Sequence, residues 1–279
     1  MVKPESMLRF AIFVLCSLCL SAQTVSRVSD KTLANPPLEP ALDEQLRIIE
    51  AARESALRYT NSLPDFLCTQ TVSRYTGRES GSMSKLSDTL EIAVAYTAKG
   101  EQYRLEKIDG QATAKTLGKA GGYQSRGDFG STLASIFRPE SQATFHWERW
   151  SGSDTGRAHV YSFAIPQSHS TYTINWATGL KRFHMTAAFS GFVFVDAESG
   201  QVVRIVSQAE GIPADWPVRR NSSTIDYGYV EIGGRQFLVP RHVESYVALK
   251  NGQRRNVSEF TRYRRFAGEA NISFGPDTP

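Results

Sequence analysis

The chain has 279 residues, 41% of them hydrophobic and 22% charged, with a formal net charge of +4. Those proportions belong to a folded domain with an ordinary apolar core and leave no case for a disordered chain. The small positive charge is interleaved with acids, so the strongly basic field needed for nucleic acid is absent and no nucleic-acid partner is expected.

Lys3 and Arg9 precede an apolar run from Phe10 to Cys16, which resumes at Leu18-Cys19-Leu20 and ends on the small pair Ser21-Ala22. A positive start, a short apolar stretch and a small-residue exit form the pattern of a secretory signal peptide. Residues 1–22 are therefore expected to be removed near Ala22–Gln23, and the product to be exported, either periplasmic or secreted. As a helix, Phe10 to Leu20 spans about 16 Å at about 1.5 Å per residue. A bilayer core is about 30 Å thick, so no transmembrane span is expected after signal cleavage. Cys16 and Cys19 leave with the signal, and Cys68 remains without an internal disulfide partner. In Phe66-Leu67-Cys68 it reads as a small buried hydrophobe.

Residues 23–40 close on Asn35-Pro36-Pro37-Leu38-Glu39-Pro40 and read as a Pro-rich linker. The rest, 41–279, is expected to be a single β-rich domain. Leu42, Leu46, Ile49 and Leu57, with Ala51, Ala52 and Ala56 among them, recur at spacings near 3 and 4. This predicts one amphipathic helix over 41–61, stopped by Asn61 and Pro64.

From Phe66 the period becomes 2. Ile92, Val94 and Tyr96 share one parity, as do His159, Tyr161, Phe163 and Ile165. Tyr172, Ile174 and Trp176 repeat the pattern, and so do Ile225, Tyr227 and Tyr229. Such alternation puts one face on a core and the other toward solvent, which is antiparallel sheet. Turn chemistry agrees at Lys99-Gly100, Asp109-Gly110, Asp196 to Gly200 and Gly233-Gly234. Gly118 to Gly130 holds five glycines and reads as a mobile loop. Ser131 to Phe137 reads as a short helix ending before Pro139. The fold class expected is α+β, predominantly antiparallel β. It is a curled meander sheet, a half-barrel of about 9–11 strands, with one long N-terminal helix and a short mid-chain helix.

Catalytic patterns do not emerge. His146, His159, His169, His184 and His242 form no HExxH, and the chain carries no GxSxG elbow and no phosphate-cradling glycine spacing. No catalytic residue, metal site or cofactor is assigned. The balance lies with a non-enzyme, while a site assembled from distant residues stays open.

Two residue sets point to binding instead. Tyr161, Phe163, Tyr172, Trp176, Phe192, Phe194, Tyr227 and Tyr229 lie on strands whose sheet is too wide for one helix to cover. They either pack the core or line a concavity for a hydrophobic ligand. Arg254, Arg255, Arg262, Arg264 and Arg265 crowd the C-terminal strand. They form either a solvated strand face or a patch for an anion or phospholipid headgroup.

The hairpin Gly191-Phe-Val-Phe-Val-Asp-Ala-Glu-Ser-Gly-Gln-Val-Val-Arg-Ile205 and the strand Ile225-Asp-Tyr-Gly-Tyr-Val-Glu-Ile-Gly-Gly234 carry a family resemblance. With the export signal, the long helix and the mid-meander helix, they make the chain resemble the periplasmic lipoprotein-carrier superfamily. That group includes the outer-membrane lipoprotein localisation factors and the sigma-factor regulatory proteins of the same half-barrel. With Leu63-Pro64-Asp65-Phe66-Leu67-Cys68 just after the helix, it also looks like a class of exported proteins of soil bacteria. The resemblance implies a half-open barrel able to hold an acyl chain, and it transfers no catalytic residue. Three readings follow. The first is a lipid- or acyl-chain-binding protein. The second is an envelope interaction or sensing module with a packed core, and the third is a hydrolase with a dispersed site.

When the full-length gene is expressed in a Gram-negative host, the intact mass of the exported protein should correspond to a chain starting at Gln23. A mass that retains Met1 to Ala22 would refute the signal reading.

Overall fold

The computed structural model describes residues 32–78, 84–97, 100–122, 128–153 and 156–266. The signal peptide with Cys16 and Cys19, residues 23–31 of the linker, and Lys99 of one turn lie outside the described residues.

Helix α1 runs Leu42–Ser62, with Asp43 and Glu44 in its first turn, where acidic side chains complement the helix dipole. It ends before Pro64, which disfavours helical geometry in the residue ahead of it. Ile49, Ala52 and Ala56 form its buried stripe, whereas Leu42 and Leu46 stay 71% and 60% exposed. Leu42 is two turns from Ile49 on the same side, so the exposed leucines mark an N-terminal end that overhangs the core. The small alanines let the middle of the helix approach the sheet closely.

Thirteen strands follow among the described residues. They are β1 (Phe66–Gly77), β2 (Lys85–Thr97), β3 (Gly100–Ile108), β4 (Gln111–Ala112), β5 (Thr144–Ser153), β6 (Gly156–Ile165), β7 (Thr173–Thr178), β8 (Lys181–Thr186), β9 (Ala188–Asp196), β10 (Val202–Glu210), β11 (Val218–Ile232), β12 (Arg235–Leu249) and β13 (Gly252–Arg265). Helix α2 is Ser131–Phe137, the segment that Pro139 was expected to stop. Eleven strands make one sheet in the order β4-β3-β2-β1-β13-β12-β11-β10-β9-β6-β5, and β7-β8 form a separate pair. The large sheet is antiparallel, curled and not closed into a barrel. The meander is broken twice. The first strand pairs with the last, and β6 pairs with β9 because the β7-β8 hairpin leaves the sheet.

The expected tight turns are present. Asp109 and Gly110 have φ of 50° and 78°, and Gly233 and Gly234 have 60° and 80°. Consecutive left-handed residues are what a two-residue primed turn requires.

Period-2 alternation selects the inner face. Leu90, Ile92, Val94 and Tyr96 of β2, Tyr161, Phe163 and Ile165 of β6, and Phe189, Val193 and Val195 of β9 all enter one buried cluster with Ile49, Ala52 and Ala56 of α1. Strands as far apart in the sheet as β2 and β6 share that cluster because the sheet curls around it. The hairpin β7-β8 covers a second, smaller cluster of Ile174, Ala187, Ala209, Val218 and Val247. Of the loop expected over Gly118 to Gly130, residues 123–127 lie outside the described residues; at its C-terminal end Asp128 and Phe129 are packed, 3% and 0% exposed. The Phe129 ring outweighs the loop's glycine content, because burying an aromatic ring contributes more than glycine's conformational freedom costs.

Gly191 is required by close approach. A Cβ there would stand 1.9 Å from the Val206 carbonyl oxygen on the neighbouring strand. Gly191→Ala should therefore cost about 1–3 kcal/mol or more through forced backbone movement. It should show as a lower thermal midpoint, and an unchanged midpoint would contradict this packing.

Candidate functional site

The inner face is where the resemblance would place a ligand, and side chains of the protein occupy it. Phe129 arrives from the loop before α2 and sits among Phe66, Phe260 and Tyr96, with ring centroids 5.4, 5.2 and 6.2 Å away. Glu101 of β3 holds this plug, accepting the Phe129 backbone N–H at 3.2 Å and the Tyr103 hydroxyl. The Tyr227 hydroxyl donates to the Asp128 carbonyl at 3.3 Å. Tyr59 of α1 meets Tyr227 edge-on at 6.0 Å. Its buried hydroxyl has no hydrogen-bond partner among the described residues.

The electrostatics of this region follow from burial. Asp128 is pushed up to about 7, first by desolvation and then by the Glu101 carboxylate. Burial raises the Tyr59, Tyr103 and Tyr227 hydroxyls well above their usual value. Cys68 is also raised by burial, with Glu101 adding to the shift. A thiol kept protonated is a poor nucleophile, so Cys68 acts here as a packing residue.

The histidines are dispersed. His159 Nδ1 accepts the Trp147 Nε1–H at 3.2 Å, and Trp150 lies 4.0 Å from its ring. Burial lowers its pKa. Trp150 Nε1–H in turn donates to the Leu38 carbonyl at 3.0 Å, which docks the linker onto β5. His169 Nδ1 lies 3.1 Å from the Glu140 carbonyl, His184 Nδ1 2.7 Å from Asn175 Oδ1 and His242 Nδ1 2.6 Å from Glu259 Oε1. Among the described residues, no three His, Cys, Asp or Glu side chains stand close enough to hold a metal.

Of the eight aromatic candidates, Tyr161, Phe163 and Tyr227 share the inner face, at 2%, 3% and 7% exposure. The Tyr161 hydroxyl donates to the Gln45 carbonyl of α1 at 2.8 Å. Tyr172 adjoins them, stacked on Phe189 at 5.1 Å with its hydroxyl on Asn221 Oδ1 at 3.1 Å. Trp176 lies apart, over the smaller cluster beneath β7-β8. Phe192 and Phe194 pair across to Ser162 and Val160, so they point to the opposite face from Tyr161 and Phe163. There Phe194 packs with Ala158, Val160 and Val203 under the guanidinium groups of Arg149 and Arg204. Phe192 and Tyr229 are each 41% exposed. No residue type distinguishes the two faces of Gly191-Phe-Val-Phe-Val195, because both carry apolar side chains. Only the packed neighbours reveal which parity turns inward.

The arginines separate as well. Arg255 forms a two-pronged pair with Glu244, at 2.7 and 2.8 Å, and lies over Tyr75. Arg254, its neighbour in the extended strand, projects to the other face. Arg265 reaches toward the β11-β12 turn, its Cδ 3.0 Å from where a Gly233 side chain would begin. Arg262 and Arg264 come together on the outer face, beside a cleft of about 260 Å³ shared with Leu67, Ala93 and Arg104. Period-2 reading puts this pair on the inner face with the buried Asn256, Ser258 and Phe260, because it does not see that the strand changes parity at a bulge.

No protein-family profile matches the chain, and neither does any curated protein. Among solved structures it is similar to a DUF1329 family protein from Desulfovibrio piger ATCC 29098, at 10% identity and a TM-score of 0.42 over 81% of this chain and 97% of that one. It is also similar to an outer membrane lipoprotein-sorting protein domain from Vibrio parahaemolyticus, at 11% identity and a TM-score of 0.39 over 79% of this chain and 92% of that one. At such scores these neighbours carry no argument about what this chain binds. No helix among the described residues is long and apolar enough to cross a membrane.

Asp128 generates a pH prediction. Its carboxyl titrates near 3.8 when unfolded and at about 7 when folded. The folded chain therefore holds the extra proton between those values. This contribution to stability is complete below about pH 4 and is lost as pH rises through about 7. Thermal midpoints measured across that window should fall less steeply in Asp128→Asn than in the wild type. Identical slopes would show that Asp128 does not titrate in this way.

Proposed function

We propose that this chain is an exported, non-enzymatic binding protein that meets an envelope partner or ligand with its outer surface, its inner face being filled by its own side chains. The observation that carries this reading is Phe129, which is fully buried at the centre of the concavity among Phe66, Tyr96 and Phe260. An acyl chain and this plug need the same space. The partner-facing features then lie on the outer face, where Phe192, Arg262 and Arg264 are exposed.

One observation favours a second reading, in which an acyl chain replaces the plug. Phe129 belongs to a connecting loop and not to a strand, so it can withdraw without breaking the sheet ladder.

The two readings separate by native mass spectrometry and solvent extraction of the exported protein. The packed reading expects an apo mass and no uptake of a fluorescent fatty acid by the wild type. Phe129→Ala should cost about 3–5 kcal/mol and open the space to uptake. A lipid recovered in stoichiometric amount from the wild type would replace the packed reading with the second one.

A further inference from the structure

The β1-β13 ladder contains a β-bulge. Leu67 pairs with Arg264 and Thr69 with Thr261, so Cys68 alone faces both Arg262 and Tyr263. Before the bulge, Asn256, Ser258 and Phe260 are buried at alternating positions. Unbroken alternation would send Arg262 and Arg264 inward with them. The extra residue reverses the parity instead. Tyr263 turns into the core, tilted against Phe66 at 5.5 Å with its hydroxyl on the Pro240 carbonyl. Arg262 and Arg264 both emerge, exposed, on the outer face.

Arg262 adopts φ 56° to do this. Of the three non-glycine residues with positive φ among those described, Asp109 sits in a turn and Gln142 caps a helical turn, while Arg262 lies inside a strand. A left-handed backbone at a long side chain inside a ladder is strained, and such strain clusters where a side chain must be aimed.

The two arginines border a cleft of about 260 Å³. Its floor is lined by Leu67, Thr69 and the small Ala93, and its far wall is Arg104 with Glu106 on β3. The walls stand three strand spacings apart, about 14 Å. Arg104 and Glu106 pair at 2.8 Å, so their charges offset each other. Arg262 and Arg264 make no ion pair among the described residues, leaving the cleft net positive. Its volume is below the roughly 300–1,000 Å³ of sites for drug-sized ligands. Paired guanidinium forks match the oxygens of a phosphate group.

We infer that this bulge-built cleft is a binding site for a phosphate group, belonging to a phospholipid headgroup or to a small free phosphate ester. The inference rests on the reading in which the outer surface performs recognition. An acyl lipid extracted from the core would overturn that reading alone, since the cleft is tested by phosphate.

The test is calorimetric titration of the exported protein with inorganic phosphate, alongside co-sedimentation with phosphatidylglycerol and with phosphatidylcholine vesicles. Arg262→Gly keeps the left-handed backbone at no steric cost and removes the guanidinium. It and Arg264→Gln should each weaken phosphate binding about tenfold, the factor that one charge-assisted hydrogen bond represents, with no loss in thermal midpoint. Arg254→Gln, on the other face, should change nothing. Preferential sedimentation with phosphatidylglycerol, lost in the double variant, would assign the phosphate to a lipid headgroup. Phosphate binding without it would assign a free ester. Absence of both in the wild type, or equal losses in Arg254→Gln and Arg262→Gly, would overturn the proposal.

Discussion

The structure depends on one pairing, that of the first strand with the last. β1 and β13 run antiparallel from Phe66↔Arg265 to Gly77↔Gln253, and the Phe266 N–H extends the contact to the Asp65 carbonyl at 2.9 Å. This ladder joins the block β4-β3-β2-β1 to the block from β13 to β5. Without it there are two smaller sheets, neither able to enclose the buried cluster. Pairing of chain ends is costly in loop-closure entropy and slow to form. It is offset by what it buries, because Phe66, Phe260 and Tyr263 meet across this seam. The same seam contains the bulge that turns Tyr263 inward and Arg262 and Arg264 outward. Core and surface chemistry are therefore set by one register shift.

An open, curled sheet exposes an apolar concavity unless something covers it. Here the cover is assembled from segments outside the large sheet. Helix α1 contributes a stripe of small residues, and Arg53 ties it to α2 through the Phe137 carbonyl at 3.0 Å. The loop before α2 contributes Phe129, and β7-β8 cap the opposite end. Toward that end the inner face becomes polar. Arg74, 9% exposed, forms a two-pronged pair with Asp88 and donates to the Gly121 carbonyl at 2.5 Å. Gly122 leaves room for it, since a Cβ there would meet the guanidinium at 2.7 Å. Buried ionic groups are tolerated only when partnered in this manner. Asp128 responds differently, by holding its proton. The cover is thus a patchwork of separate contacts, and the exposed Phe192, Arg262 and Arg264 lie on the other side of the sheet.

Much of the architecture was legible in residue pattern. The 3.6-residue period with Pro64 behind it located α1 to within a residue of its observed ends, and Ser131 to Phe137 before Pro139 located α2. Gly233-Gly234 and Asp109-Gly110 marked primed turns because their backbones need left-handed conformations. Alternation along β2 and β6 identified the inward parity, since the large side chains Ile92, Val94 and Tyr96, and Tyr161, Phe163 and Ile165, fall on one parity and mostly smaller residues on the other. Legibility failed where both faces are apolar, as at Phe192 to Val195. It failed too where the ladder slips, as at Arg262, and where a buried ring hides in a glycine-rich loop, as at Phe129.

Taken alone, then, the sequence determined the strand-rich class, the two helices and the tight turns, because each is written in local spacing and local backbone preference. Only the tertiary structure decided which strand the first strand would join, which aromatic faces would turn inward, and which arginines would share a cleft. The physical reason is the range of the interactions. Periodicity and turn chemistry act over a few residues. Register, bulges and the filling of a concavity are settled by contacts between segments that lie far apart along the chain.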